Sequence, residues 1–191
     1  MSSILLQDRV LQLESWDTQQ LEKINNPGID LVLVNRSDFP VPSEQDVANA
    51  RVDSIRCVVD QHDAEVQITD ALAYLGLSHC DALADDMRDL TARFLKQFNA
   101  RRANLRVEVV NRQSCPKFHC DARSVRLITT YAGPTTEYRQ ADDCAEDNVV
   151  ALGAIALLKG TTHPTHNGEY VLHRSPAITA PQRRLCMVLD Y

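Results

Sequence analysis

His119-Cys120-Asp121 is the first stretch of this sequence whose residue types and spacing can do chemistry. In an extended segment residues i and i+2 project to the same side, so this imidazole and this carboxylate can grip one metal ion together. Two histidines and one carboxylate on one face of an octahedron leave three positions open, the arrangement that suits non-haem Fe(II) chemistry with a chelating co-substrate and dioxygen. The second histidine must come from elsewhere, and His173, which ends the apolar run Tyr170 to Leu172, is the first choice. His163 and His166 compete with it from the loop Thr161 to Gly168, where solvated or hydrogen-bonded histidines are common. Spacing alone proves little, because six histidines and 18 aspartates in 191 residues give about 0.6 His-x-Asp triplets by chance. A second copy, His79-Cys80-Asp81, makes the point: it opens a helical pattern, where Asp81 reads as an N-terminal cap or dipole partner.

The elements that must position His119 and Asp121 are short β-rich runs separated by turn residues. They are Leu105 to Asn111, Val125 to Tyr131, Ala154 to Leu158, Tyr170 to Leu172 and Leu185 to Leu189. This rhythm suits a jelly roll whose two sheets close around a cavity. Before residue 105 the pattern is mainly helical. Leu83, Met87, Leu90, Phe94 and Phe98 mark one long amphipathic helix, capped at its start by Ser78 or Asp81. Ile29 to Val34 reads as a strand. The expectation is one α+β domain spanning residues 1–191, with a mainly helical support region over 1–104 and a double-stranded β-helix (jelly roll, cupin-like) core over 105–191.

Composition narrows the function classes. Hydrophobic residues at 44% and charged residues at 24% are ordinary globular values, which excludes wholesale disorder and fibre repeats. A net charge of −6 argues against non-specific binding to nucleic acid. The basic run Arg101, Arg102, Arg106 and Arg112 reads as a solvated helix end, with contact to an anionic substrate as its alternative. No apolar run approaches the roughly 18 residues of a membrane span, and Met1 to Gln20 lacks the pattern of a secretory signal, so a cytoplasmic protein is expected. The six cysteines show no C-x-x-C pair and read as reduced, mostly packing thiols; Cys115 and Cys144 are candidates to add a thiolate to a zinc site, without support from spacing. Lys159-Gly160-Thr161-Thr162 has the wrong order for a phosphate loop, and no G-x-S-x-G elbow occurs.

From Leu105 to Tyr191 the order of elements resembles the iron and 2-oxoglutarate dependent dioxygenases, particularly the prolyl-hydroxylase-like branch. The counterparts are the run Leu105 to Asn111, His119 and Asp121, Leu127 to Tyr131, Gly133-Pro134-Thr135-Thr136-Glu137, Gly153 to Leu158, His173, and Arg183 or Arg184. The resemblance implies that His119, Asp121 and His173 hold Fe(II). It also implies that Arg183 or Arg184, ten or eleven residues after His173, pairs with the distal carboxylate of 2-oxoglutarate. Alternation puts the apolar Leu185, Met187 and Leu189 in phase with Arg183, which favours Arg183 as the inward arginine. Tyr131 is expected to add a hydroxyl to the same carboxylate, with Asn111 a weaker candidate.

More narrowly, Phe118-His119-Cys120-Asp121, Thr130 to Glu137, Leu158-Lys159-Gly160 and His173-Arg174-Ser175-Pro176 resemble an uncharacterised bacterial domain-of-unknown-function family, number 1826, over nearly the whole chain. Thr135 departs from the glycine expected there. That family's link to zinc homeostasis implies the alternative of a non-catalytic or accessory zinc-binding protein with the same ligands. The substrate, small molecule or protein, and the oligomeric state have no signature in the sequence.

Overall fold

A computed structural model describes residues 9–141 and 146–191. Its elements in chain order are β1 (Val10–Leu13), α1 (Thr18–Leu21), a 3-10 turn (Glu22–Asn25), β2 (Leu31–Val34), α2 (Glu44–Asn49), β3 (Asp53–Val59), α3 (Ala64–Tyr74) and α4 (Asp81–Gln97). There follow β4 (Ala103–Val110), β5 (Val125–Ala132), β6 (Glu137–Gln140), β7 (Asn148–Val149), β8 (Ile155–Lys159), β9 (Val171–Arg174) and β10 (Arg184–Asp190).

Two sheets form. The larger has the order β1-β2-β8-β5-β10-β4-β3 and the smaller β7-β6-β9. Every pairing is antiparallel except β1 with β2. The chain is therefore mixed α+β and dominated by sheet, and the expectation of a mainly helical front half is corrected. Three of its segments are strands, and β1 and β3 are the two edges of the large sheet. Edge strands carry exposed polar side chains, as Asp53 and Arg56 are on β3, so they lack the apolar alternation that marks an interior strand.

Helices α3 and α4 cover one face of the large sheet. The predicted stripe of α4 is realised: Leu83, Met87, Leu90 and Phe94 are buried in one cluster with Leu105, Val107, Leu185, Met187 and Leu189. Each such side chain contributes about 1.5–3 kcal/mol by leaving water. The cap is not realised, because Asp81 lies within the first turn and Cys80 precedes it without a capping side chain. The opposite face of the large sheet meets the small sheet across a second cluster that includes Leu33, Ile128, Tyr138, Val171 and Val188. Strand β10, between β5 and β4, is buried on both faces. No helix among the described residues is long and apolar enough to cross a membrane.

Candidate metal centre

His119 lies between β4 and β5, where the chain leaves the large sheet and forms a bridge to β9 of the small one. Its N–H donates to the His173 carbonyl and the His173 N–H donates to the His119 carbonyl, each at 3.0 Å. Residues directly opposed in an antiparallel bridge share a face, so both imidazoles point the same way, with ring centroids 4.5 Å apart. Asp121, two residues on, joins them. His173 Nε2 is 3.0 Å from Asp121 Oδ2, and His119 Nε2 is 3.6 Å from Asp121 Oδ1. One ligand atom from each of the three residues falls within 4.8 Å of the others.

The surroundings fix these groups. His119 Nδ1 is 2.9 Å from the Lys117 carbonyl, and a donated N–H there leaves Nε2 with a lone pair for a metal. Phe118 is held between the guanidinium groups of Arg139 and Arg174, each 4.2 Å from its ring centre. Arg126 Nη1 pairs with Asp121 Oδ1 at 2.6 Å. Gly160 packs on the turn so closely that a Cβ there would lie 2.0 Å from the Arg123 carbonyl oxygen, and Thr161 N–H donates to the Asp121 carbonyl at 2.8 Å. Burial pushes the Asp121 carboxyl up, but His173, Arg126 and His119 outweigh it and hold the group at about 2. Burial lowers His173 and keeps its ring neutral, against the pull of Asp121. Asp121 Oδ2 is buried yet receives no hydrogen bond, since the 3.0 Å approach of His173 is outside hydrogen-bond geometry. A buried carboxylate oxygen without a well-aligned donor, facing two imidazole nitrogens, fits a divalent cation.

Beside the three ligands opens a cavity of about 240 Å³ between the sheets, lined among others by His119, His173, Arg126, Thr136, Arg184 and Cys186. Arg184, not Arg183, faces into it. Arg184 is buried, donates from Nη2 to Thr136 Oγ1 at 2.9 Å and Thr130 Oγ1 at 3.2 Å, and keeps an unpartnered buried Nε–H. Among the described residues no carboxylate lies within ion-pair distance of it. Arg183 instead donates to the Val47 and Ala50 carbonyls on the far side of β10. The apolar phase Leu185, Met187, Leu189 marks the face under the helices, and the cavity face is the mixed one. Tyr131 fails for the same reason: its hydroxyl donates to Asp86 Oδ2 at 2.7 Å on the helix side, and burial followed by the Asp86 charge pushes its pKa well up. Its neighbour Thr130 turns to the other side, towards Arg184. Asn111 is exposed past the end of β4 and lines a separate groove.

The family follows from the sequence as a whole. A model described as "Protein of unknown function (DUF1826)" matches residues 15–190. The chain belongs to the DUF1826 family. No curated protein matches this DUF1826 chain in sequence. Among solved structures it is similar to the dioxygenase for auxin oxidation (DAO) of rice, at 13% identity and a TM-score of 0.53 over 95% of this chain and 81% of that one. That likeness shows the fold: the two sheets of the DUF1826 chain form a jelly roll. Others are AtDAO1 of Arabidopsis thaliana in a complex with 2-oxoglutarate (11% identity, TM-score 0.49, 95% and 91% covered) and a prolyl-4-hydroxylase of Pseudomonas putida (15%, 0.40, 72% and 68%).

The remaining candidates in the DUF1826 chain divide cleanly. His163 Nδ1 accepts from Thr165 N and lies 3.0 Å from Thr165 Oγ1, so the loop histidines serve the loop and stand outside the three-ligand group. Cys120 turns from the metal face towards the Lys159 carbonyl, and burial pushes its thiol up to about 11. Cys115 does reach the site, with Sγ 3.6 Å from His119 Nδ1, but it is not within common reach of all three ligands. Cys144 lies outside the described residues, as do Asp142 and Met1 to Asp8. The His79 copy forms its own group with Asp46 and Cys80, in which Asp46 closes a capping box with Ser43 and pairs with His79 at 2.8 Å. Arg106 is on β4 and lines the cavity, which corrects its reading as part of a solvated helix end. Glu108 and Cys186 in the cavity wall, and Arg56 on β3, were not legible because only sheet register aligns them.

Proposed function

We propose that the protein is an Fe(II)- and 2-oxoglutarate-dependent oxygenase that hydroxylates a C–H bond. The observation that carries this reading is one cavity lined by His119 and His173 of the His119/Asp121/His173 group and by a buried arginine, Arg184, without a counter-ion among the described residues. A buried guanidinium is costly unless an anion meets it, and its fork suits a carboxylate. Arg184 with Thr130 and Thr136 takes the distal carboxylate of 2-oxoglutarate, leaving the keto-acid end to reach the metal. When bound, iron supplies the coupling of 2-oxoglutarate decarboxylation to dioxygen activation. The balance is substrate R–H, 2-oxoglutarate and O₂ to R–OH, succinate and CO₂, with one oxygen atom in each organic product. The shared fold with a rice dioxygenase supports the assignment.

Cys115 beside His119 favours a second reading, in which the site holds zinc with a thiolate as fourth ligand and does no chemistry. Anaerobic titration with Fe(II) and then 2-oxoglutarate separates the two. A weak visible charge-transfer band that requires both additions supports the oxygenase. Tight colourless zinc binding that weakens in Cys115→Ser, with no such band, overturns it.

A further inference from the structure

We infer that Arg56 and Arg106 form a second oxyanion site in the cavity, so that the substrate is an anionic small molecule; this rests on the oxygenase reading above. Arg56 on β3 and Arg106 on β4 are direct partners in antiparallel register, and both line the cavity that holds His119, His173 and Arg184. Like charges directly opposed on one face destabilise a sheet pair, so the fold has no use for this placement by itself. Fold alone does not call for it, and a ligand of opposite charge does.

The compensation present is incomplete. Arg126 is committed to Asp121 and Asp190, and Arg174 to Glu137 and Asp147. Among the described residues Glu108 is the one carboxylate within ion-pair distance of either member of the Arg56/Arg106 pair. Its Oε2 stands 3.5 Å from Arg106 Nε, an atom that is buried and makes no hydrogen bond, and the same carboxylate is approached by Cys186 Sγ at 3.3 Å and Ser54 Oγ at 3.4 Å. Arg56 has no carboxylate within ion-pair distance among the described residues, and its side chain is exposed at the cavity's open side. One buried carboxylate thus opposes two guanidinium groups, with N–H donors left over that match an oxyanion in bidentate fashion.

Register also separates this pair from Arg184. Along β10, Arg184 pairs with Val110, Cys186 with Glu108 and Val188 with Arg106. Four strand residues span roughly 13 Å. The Glu108 carboxylate lies in the row between the two cationic positions and repels an anion from bridging them. Arg184 then holds the co-substrate, and Arg56 with Arg106 holds a carboxylate or phosphate of the substrate on the β3 side.

Calorimetric titration of protein loaded with Mn(II) and N-oxalylglycine, an unreactive analogue that fills the metal and Arg184 positions, tests the inference. The probes are benzoate, neutral benzamide and inorganic phosphate at constant ionic strength. Binding of benzoate or phosphate that weakens at least tenfold in both Arg56→Gln and Arg106→Gln, but not in Arg93→Gln on α4, is expected. Benzoate alone assigns a carboxylate and phosphate alone a phosphorylated substrate. Benzamide binding as well as benzoate, no binding of either anion, or unchanged binding in Arg56→Gln, whose exposed side chain is not needed for folding, overturns it. Failure of Mn(II) and N-oxalylglycine to load instead overturns the oxygenase reading, and the same anion titration on the metal-free protein still decides the arginine pair.

Discussion

Arg126 stands 2.6 Å from Asp121, and Asp190 in turn holds Arg126 through Nε at 2.5 Å. The carboxylate that would meet the metal is thus oriented from behind by a half-buried chain of charges that crosses from β5 to β10. Groups that orient a ligand carboxylate are worth about 10- to 100-fold in metal affinity. Arg126→Gln is expected to weaken Mn(II) binding by that factor, and Asp190→Asn by less, in anaerobic calorimetry.

The duplicated His-Cys-Asp triplet provides an internal control. His119→Ala removes one of three ligands and is expected to abolish metal binding. His79→Ala loses only an exposed contact with Asp46 and retains full binding. Equal losses in the two variants would count against the site described above.

The two neighbouring arginines should differ sharply. Arg184→Gln leaves the co-substrate carboxylate without its charged donors, a loss of about 1.5–3 kcal/mol, so the Kd for 2-oxoglutarate rises roughly tenfold or more. Arg183→Gln removes contacts to the Val47 and Ala50 carbonyls and is expected to lower thermal stability while leaving that Kd within about twofold. Fluorescence or calorimetric titration reads both effects.

Acid acts on the metal-free protein in two steps. The folded value of His173 is depressed by burial, so the unfolded chain takes up this proton first; stability declines as pH falls from about 6.5 towards that value. Asp121 is held at about 2 against an ordinary 3.8, so its contribution is complete above 3.8 and is lost as pH falls towards 2. Urea midpoints between pH 8 and pH 3 should show both declines, and His173→Gln should shrink the upper one to the share of His163, which burial also lowers.

Gly160→Ala probes the clamp on the ligand turn. Its Cβ would meet the Arg123 carbonyl oxygen at 2.0 Å and that of Asp121 at 2.6 Å, backbone atoms that cannot yield without moving the ligand. A loss of about 1–3 kcal/mol in stability is expected, together with weakened metal binding; a variant with unchanged midpoint and affinity would falsify the clamp.

By itself the sequence determined the residues whose order is local. The α4 stripe, the cores of β4, β5, β8, β9 and β10, and the His119/Asp121 pair all rest on periods of 3.6 or 2 that neighbours along the chain impose. The two edge strands of the large sheet, β1 and β3, were not readable, because they carry mixed side chains. The tertiary structure alone decided which face of β10 looks inward. A strand buried on both sides has two hidden faces; the more apolar one, with Leu185 and Met187, packs under the helices, while Arg184 and Cys186 line the cavity where polar chemistry is placed. The meeting of His119 with His173, and of Arg56 with Arg106, likewise depends on sheet register between distant segments, which no local pattern encodes.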